Sequence, residues 1–303
     1  MIYPLINTFV LSFYGNGNAN ADTNVGFQNF QYLLVGGSRT AKAVHEEFIK
    51  SAQNTIILWF GNFIPQIILS LLLAVWFTDS KVKIKGTGAF KVIMYMPNII
   101  TATSVCALFT IIFGNNKYGA INAMLLSNGS ISEAIKFISN VDSSRFIVMF
   151  IQTWMWFGNT MILLMSGIMG IDLSLFEAAS IDGASSTQVF FQITLPLLKP
   201  IFIYVLITSM IGGLQMFDIP YLFHEANATR AQSHLETLAT FVYQHFHQVD
   251  PNYGYSAAAS VILFFITGVL GMLVYRFNTT ADERAAMKRE HKRSKNSKLL
   301  GGL

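Results

Sequence analysis

Charge-free apolar runs alternate with short polar stretches along the whole chain, and the runs are long. Residues 55–77, 92–113, 146–171, 200–217 and 255–275 contain no Asp, Glu, Lys, Arg or His. Each approaches or exceeds the roughly 20 residues that carry a helix across a ~30 Å hydrocarbon core. A further run, 1–14, is apolar and uncharged but too short to cross alone. A cleaved signal peptide would need a basic start and a small-residue cleavage site, and neither is present. The pattern predicts an all-α integral membrane protein of about six transmembrane helices, the first only partial. Pro65 predicts a kink in 55–77, and Pro97 with Asn98 interrupts 92–113. Gly212 and Gly213 offer small contacts for close helix packing.

The polar stretches between the runs predict the loops. Residues 15–50 read as an external loop ending in a surface helix, and 114–145 as an external return with a short helix around 132–138. Residues 218–253, acidic on balance, read as a long external segment. One stretch differs from the others. In 174–200, Ser174 with Glu177 forms a capping-box pattern, so a helix starts near Leu175. It should end near Asp182, because Gly183 can adopt the left-handed conformation that closes a helix. Ser185 with Gln188 forms a second box, and Leu195-Pro196 is expected to stop the second helix. Two short helices hinged on a glycine make a knob, and a knob implies a socket on another protein.

Charge then decides the topology. Only 12% of residues are charged and the mean hydropathy is +0.47, more apolar than a soluble core requires. The isoelectric point near 9.1 comes largely from Lys81, Lys83, Lys85 and Lys91 in one short loop and from a basic tail after 275. That distribution is a topology signal for cytoplasmic loops beside a lipid bilayer, not a nucleic-acid face. Counting crossings from the lysine loop places the knob in the cytoplasm and both termini inside. The chain thus divides into a transmembrane domain, 1–275, and a basic cytoplasmic tail, 276–303. Cys106, the one cysteine, excludes an internal disulfide or a thiolate metal cluster and reads as packing.

The chain lacks an engine. No phosphate-binding G-x-x-x-x-G-K-[ST] occurs, and Gly86-Thr87-Gly88 has neither the spacing nor the hydroxyl for one. The apolar runs hold no ionisable group of the kind that ion-coupled carriers place at mid-membrane. The chain is therefore expected to be no enzyme and to need no cofactor. Within the runs Asn98, Thr101, Gln152, Thr153, Trp156, Asn159 and Gln215, with Asp218 at a run's end, supply amides, hydroxyls, an indole and one acid. Amides beside an aromatic face suit a polyhydroxylated solute. The same residue types also join helix to helix in membranes, and the sequence leaves both uses open. His245 and His247, near His224 and His234, lack a tight third ligand and read as an external loop surface, not a zinc site. The methionines, including Met94, Met149 and Met165, read as adaptable packing.

Glu177-Ala178-Ala179, Asp182-Gly183-Ala184 and Ile193-Thr194-Leu195-Pro196 with Lys199-Pro200 resemble the EAA loop of binding-protein-dependent ABC importer permeases of the carbohydrate branch. Weaker echoes at Tyr95 to Ile100, Gln215 to Leu222 and Tyr253 to Ala258 extend the resemblance over nearly the whole chain. It implies the type I permease fold, with Glu177, Ala178, Ala179, Asp182, Gly183, Ala184, Leu195 and Pro196 coupling to an ABC ATPase. It further implies a second homologous permease in a heterodimer and an extracellular solute-binding protein. It also suggests that 1–14 is the outer half of a first span whose beginning this sequence lacks. A standalone facilitator or ion-coupled carrier is the alternative, and it would transport without nucleotide.

Overall fold

The computed structural model describes residues 2–15, 23–79, 86–225, 234–248 and 251–278. The lysine loop residues Lys81, Lys83 and Lys85 and most of the basic tail lie outside these. Among the described residues fourteen α-helices follow in chain order: α1 Ile2–Leu11, α2 Gln28–Leu34, α3 Arg39–Thr78, α4 Thr87–Tyr95, α5 Ala102–Ile112, α6 Ala120–Ser127, α7 Val141–Met169, α8 Leu173–Ile181, α9 Ser186–Val189, α10 Leu195–Leu197, α11 Lys199–Leu214, α12 Asp218–Glu225, α13 Leu238–His247 and α14 Tyr253–Asn278. Four segments, Ala41–Thr78, Val141–Met169, Lys199–Phe223 and Tyr253–Leu273, are long and apolar enough to cross a membrane. A bent pair, Thr87–Ile99 with Ala102–Ile112, is turned by 92° and is apolar enough only when taken together, as one broken span or a re-entrant loop. Pro97 lies in a short 3-10 turn at this bend, and the Thr101 side chain caps the second half by accepting from the Ser104 N–H. The proline has no N–H to donate to the Ile93 carbonyl, so the α4 ladder stops ahead of it and the tighter turn takes over.

α3 and α7 form the spine. Asn54 meets Arg145, Asn62 meets Thr153 and Gln66 meets Thr160. Residue numbers climb together on both helices, so the two run parallel, as they must if one crossing intervenes. Gly158 permits the third partner to come close: a Cβ there would fall inside the Met94 carbonyl of α4. Gly213 likewise seats the Trp59 indole, whereas Gly212 has open space around it. Antiparallel to α7, α11 packs Leu198 and Ile201 over Gly167. One apolar cluster, including Leu58, Cys106, Ile147, Ile151 and Phe223, occupies one end of the spine. A second, including Phe63, Met161, Leu164, Leu198 and Val205, occupies the other.

Several expectations change. The surface helix expected ahead of residue 55 is the first part of α3, a single 40-residue helix that continues through Pro65. Beside the Gly61 carbonyl, which Pro65 leaves without its helical donor, the Thr153 hydroxyl of α7 donates to the Asn62 carbonyl. The helix expected at 132–138 is instead α6, and 130–137 is irregular. Asn122 explains why: its amide donates to the Gly114 and Ile135 carbonyls and accepts from the Ile135 N–H. These bonds supply backbone partners that a helix would otherwise provide. Residues 218–253 are no simple surface loop, since α12 and α13 lie within them and Phe223, Leu235 and Phe241 are buried.

Candidate functional site

The knob is built from bonds that close within a few residues. Asp172, not Ser174, caps α8: its carboxylate accepts from the Ser174 N–H, which holds its pKa below the usual carboxylate range. The predicted Ser174–Glu177 box is therefore absent, because α8 starts two residues earlier and places Ser174 inside it. Glu177 is left exposed. At the other end Gly183 has φ +74°, the Ala184 N–H bonds the Ala179 carbonyl at 2.9 Å, and the Gly183 N–H bonds the Ser180 carbonyl at 3.2 Å. This is a Schellman closure, which requires a residue tolerant of left-handed backbone at that position. The Ser185–Gln188 capping box is present on α9. Leu195-Pro196 does not stop the second helix: a π turn over Phe190–Thr194 runs into α10, with Pro196 in its first turn, and onward to α11. Proline is tolerated in a first turn because its missing N–H has no partner to lose. Of the motif residues Ala179 and Thr194 are buried, while Ala178, Asp182, Gly183 and Pro196 are exposed and Ala184 and Leu195 half-buried.

Midway along the spine, α3, α7 and α11 enclose a cavity of about 580 Å³. Gln152, Trp156, Asn159, Gln215 and Asp218 all line it. Asn98 does not: it is half-buried in the 3-10 turn at the bend between α4 and α5, away from the cavity wall. Gln152, Trp156 and Asn159 face inward at helical spacing on α7, opposed by Tyr204, Thr208 and Gly212 on α11 and by Trp59, Asn62 and Gln66 on α3. The wall ends at a break in the helices, 215–217, after which Asp218 opens α12. Among the described residues Asp218 is the one carboxylate in the lining, which holds no Lys, Arg or His.

The two uses of membrane amides separate here. Gln66 donates to the Thr160 hydroxyl at 2.8 Å, the Trp59 indole to the Ser209 hydroxyl at 3.1 Å, and Thr153 to Asn62, so these residues join helices. Gln152, Trp156, Asn159 and Gln215 give no side-chain hydrogen bond to another described residue, so their polar atoms face the cavity uncommitted. Sequence reasoning missed Trp59, Asn62, Gln66, Tyr204 and Thr208. The i, i+3, i+7 spacing of Trp59, Asn62 and Gln66 on an apolar helix is the signal that could have found them.

A larger hollow, about 830 Å³, is an apolar groove between α11, α13 and α14. Two of the histidines fall elsewhere than expected, while His247 is exposed. His245 is buried, with Nε2 3.2 Å from Glu47 Oε1, and His234 is buried with Nε2 2.7 Å from the Ser144 hydroxyl. They are structural links, not a loop surface, and no metal-binding group of three or more His, Cys, Asp or Glu occurs among the described residues.

Residues 34–286 match the family model described as binding-protein-dependent transport system inner membrane component. The chain is 30% identical to the lactose transport system permease protein LacF of Rhizobium radiobacter over 91% of its own length and 87% of that protein. It is 28% identical to the arabinooligosaccharides transport system permease protein AraP of Bacillus subtilis, covering 90% and 81%. A crystal structure of a bacterial ABC transporter involved in import of the acidic polysaccharide alginate has a chain that superimposes with TM-score 0.76 at 22% identity, covering 92% of this chain and 89% of that one. The shared fold is the type I importer permease fold. The chain belongs to the binding-protein-dependent transport system inner membrane components: it is a multi-pass permease subunit that supplies part of an importer's pore, while separate subunits hydrolyse ATP.

Proposed function

We propose that this permease passes an uncharged sugar or related polyhydroxylated solute through the cavity walled by Gln152, Trp156, Asn159, Gln215 and Asp218. The observation that carries this reading is the uncommitted set of amides and an indole in a membrane-embedded hollow. Amides exchange hydrogen bonds with hydroxyls in both directions, and the indole face stacks on sugar C–H groups. An acid as the lining's sole charge opposes a polyanion, which sets this cavity apart from an acidic polysaccharide. The relatives are named for transport of lactose and of arabinooligosaccharides, both neutral sugars.

In this reading the segment 174–196 is the cytoplasmic coupling loop. Glu177, Ala178, Ala179, Asp182, Gly183, Ala184, Leu195 and Pro196 meet a groove on an ABC ATPase, and both chain termini lie on the same side. An extracellular solute-binding protein delivers the solute to the opposite end, and a second, homologous permease completes the pore as a heterodimer. Closure of the ATPase pair pushes the knobs together and rocks the helices between inward- and outward-facing states. Asn98, lying outside the cavity wall, has no place in this pathway. The transmembrane domain spans 1–275 and the basic tail 276–303.

The test is uptake by the assembled importer with its binding protein in proteoliposomes, using lactose, raffinose and arabinotriose as probes. ATP-dependent uptake of at least one is expected. Gln152→Ala with Asn159→Ala should lower its kcat/KM by about tenfold, the sum of two modest hydrogen bonds. Uptake by this chain alone without nucleotide would instead establish the facilitator alternative.

A further inference from the structure

At the end of the spine away from the knob, residues 234–237 form a buried strap of irregular backbone that leads into Leu238 at the start of α13. The two features lie about 40 Å apart, given 1.5 Å per residue along α7. His234, Leu235, Glu236, Thr237 and Leu238 are each at most 9% exposed. Buried backbone outside regular structure needs partners for its polar groups, and here they come from two helices, α3 and α7. Arg145 of α7 donates to the His234 carbonyl at 3.2 Å and to Asn54 Oδ1 at 2.6 Å. Asn54 of α3 then donates to the Glu236 carbonyl at 2.9 Å. The Leu238 N–H donates to the Thr55 hydroxyl at 2.9 Å. Most relevant to the cavity, the Thr237 hydroxyl donates to the Met216 carbonyl at 2.6 Å. Met216 is the middle residue of the break 215–217 in the cavity wall.

One group in the strap does not fit this account. Glu236 Oε1 is buried and has no hydrogen-bond partner among the described residues. Glu47 and Lys50 of α3 act on it electrostatically, His245 of α13 is held on Glu47, and Arg145 of α7 holds the backbone of the neighbouring His234. Arg145 bonds two neutral acceptors there, Asn54 Oδ1 and the His234 carbonyl, while Glu47 adds a like charge and Lys50 an opposing one. Burial and Glu47 together outweigh Lys50 and favour the neutral carboxyl over the carboxylate.

We propose that the strap is a positioning element for solute passage, clamping the break 215–217 of the cavity wall through Thr237, and that ionisation of Glu236 releases the clamp. The proposal rests on the cavity being the solute route. Burial first, and Glu47 second, push the Glu236 carboxyl from 4.5 up to about 7, with Lys50 opposing. The closed strap therefore binds the proton more tightly than the released one. Its advantage is complete below about pH 4.5 and is lost as the pH rises through about 7. Over about pH 6 to pH 8 those two pKa values move the opening equilibrium by about tenfold.

Amide hydrogen exchange on the assembled importer in lipid nanodiscs, corrected for intrinsic pH dependence, reads this directly. Wild type should open 234–241 and 214–219 about tenfold more often at about pH 8 than at about pH 6. Glu236→Gln, neutral at every pH, should remain protected at both. Thr237→Val should expose 214–219 at both pH values while the strap keeps its step. A flat wild-type profile, or a step that survives in Glu236→Gln, overturns the proton-sensitive clamp. Unchanged exchange at 214–219 in Thr237→Val overturns its transmission to the cavity. No solute enters the measurement, so its failure is distinct from failure of the sugar assignment.

Discussion

The two ends of α7 are held together by opposite means. At the knob, every bond that shapes α8, the hinge and α9 closes within five residues of its start: Asp172 to Ser174, Ala184 to Ala179, Gln188 to Ser185. At the strap, bonds join residues far apart in the chain: Arg145 to Asn54, Asn54 to Glu236, Leu238 to Thr55. A locally closed element keeps its shape without leaning on its surroundings, so it can present a surface to another protein and move as a unit. A element closed over long range fixes the register of the helices it ties and gives up its own surface to do so. The knob is accordingly exposed along most of its motif, and the strap is almost wholly buried.

Three substitutions probe that contrast. Arg145→Ala should have the largest effect on stability, about 3 kcal/mol, because it strips a charged donor from Asn54 and the His234 carbonyl together. Thermal unfolding of the purified complex measures it, and a loss no larger than a surface substitution would make the strap an ornament. Gly183→Val comes next. It forces a β-branched residue to φ +74° at a local cost of roughly 1–3 kcal/mol, with nothing within 4 Å for the new Cβ to strike. The expected outcome is a complex of near-normal stability that hydrolyses ATP but imports little; intact coupling would remove the knob from the mechanism. Ser185→Ala should be the mildest, removing a cap worth about 1 kcal/mol. It should show as weaker amide protection confined to 186–189, and a global fall in stability would mean the knob is not locally closed after all.

The knob was legible in the sequence to within a few residues because capping and Schellman chemistry depends on neighbours. Its errors have the same origin. Asp172 offered a cap two residues earlier than Ser174, and Pro196 was accommodated in a helical first turn that sequence reasoning took for a stop. The cavity was half legible. Gln152, Trp156, Asn159 and Gln215 were recognisable as polar groups in apolar runs, yet Thr153 looked identical in sequence and is committed to Asn62. Asn98 looked equally promising and was turned aside by the 92° bend. The buried histidines were misread outright, since nothing adjacent in the chain announces Ser144 or Glu47 as partners.

The amino-acid order alone determined which stretches leave water and where short helices begin and hinge, because hydropathy over twenty residues and hydrogen bonds over three to five are properties of contiguous chain. Tertiary structure decided which amides join helices and which face the cavity. It also decided that Glu236, unremarkable in a polar loop, is sealed against Glu47 and Lys50 while its neighbour Thr237 holds Met216. Those outcomes depend on how α3, α7 and α11 rotate against one another, and that rotation is set by contacts between residues scores of positions apart.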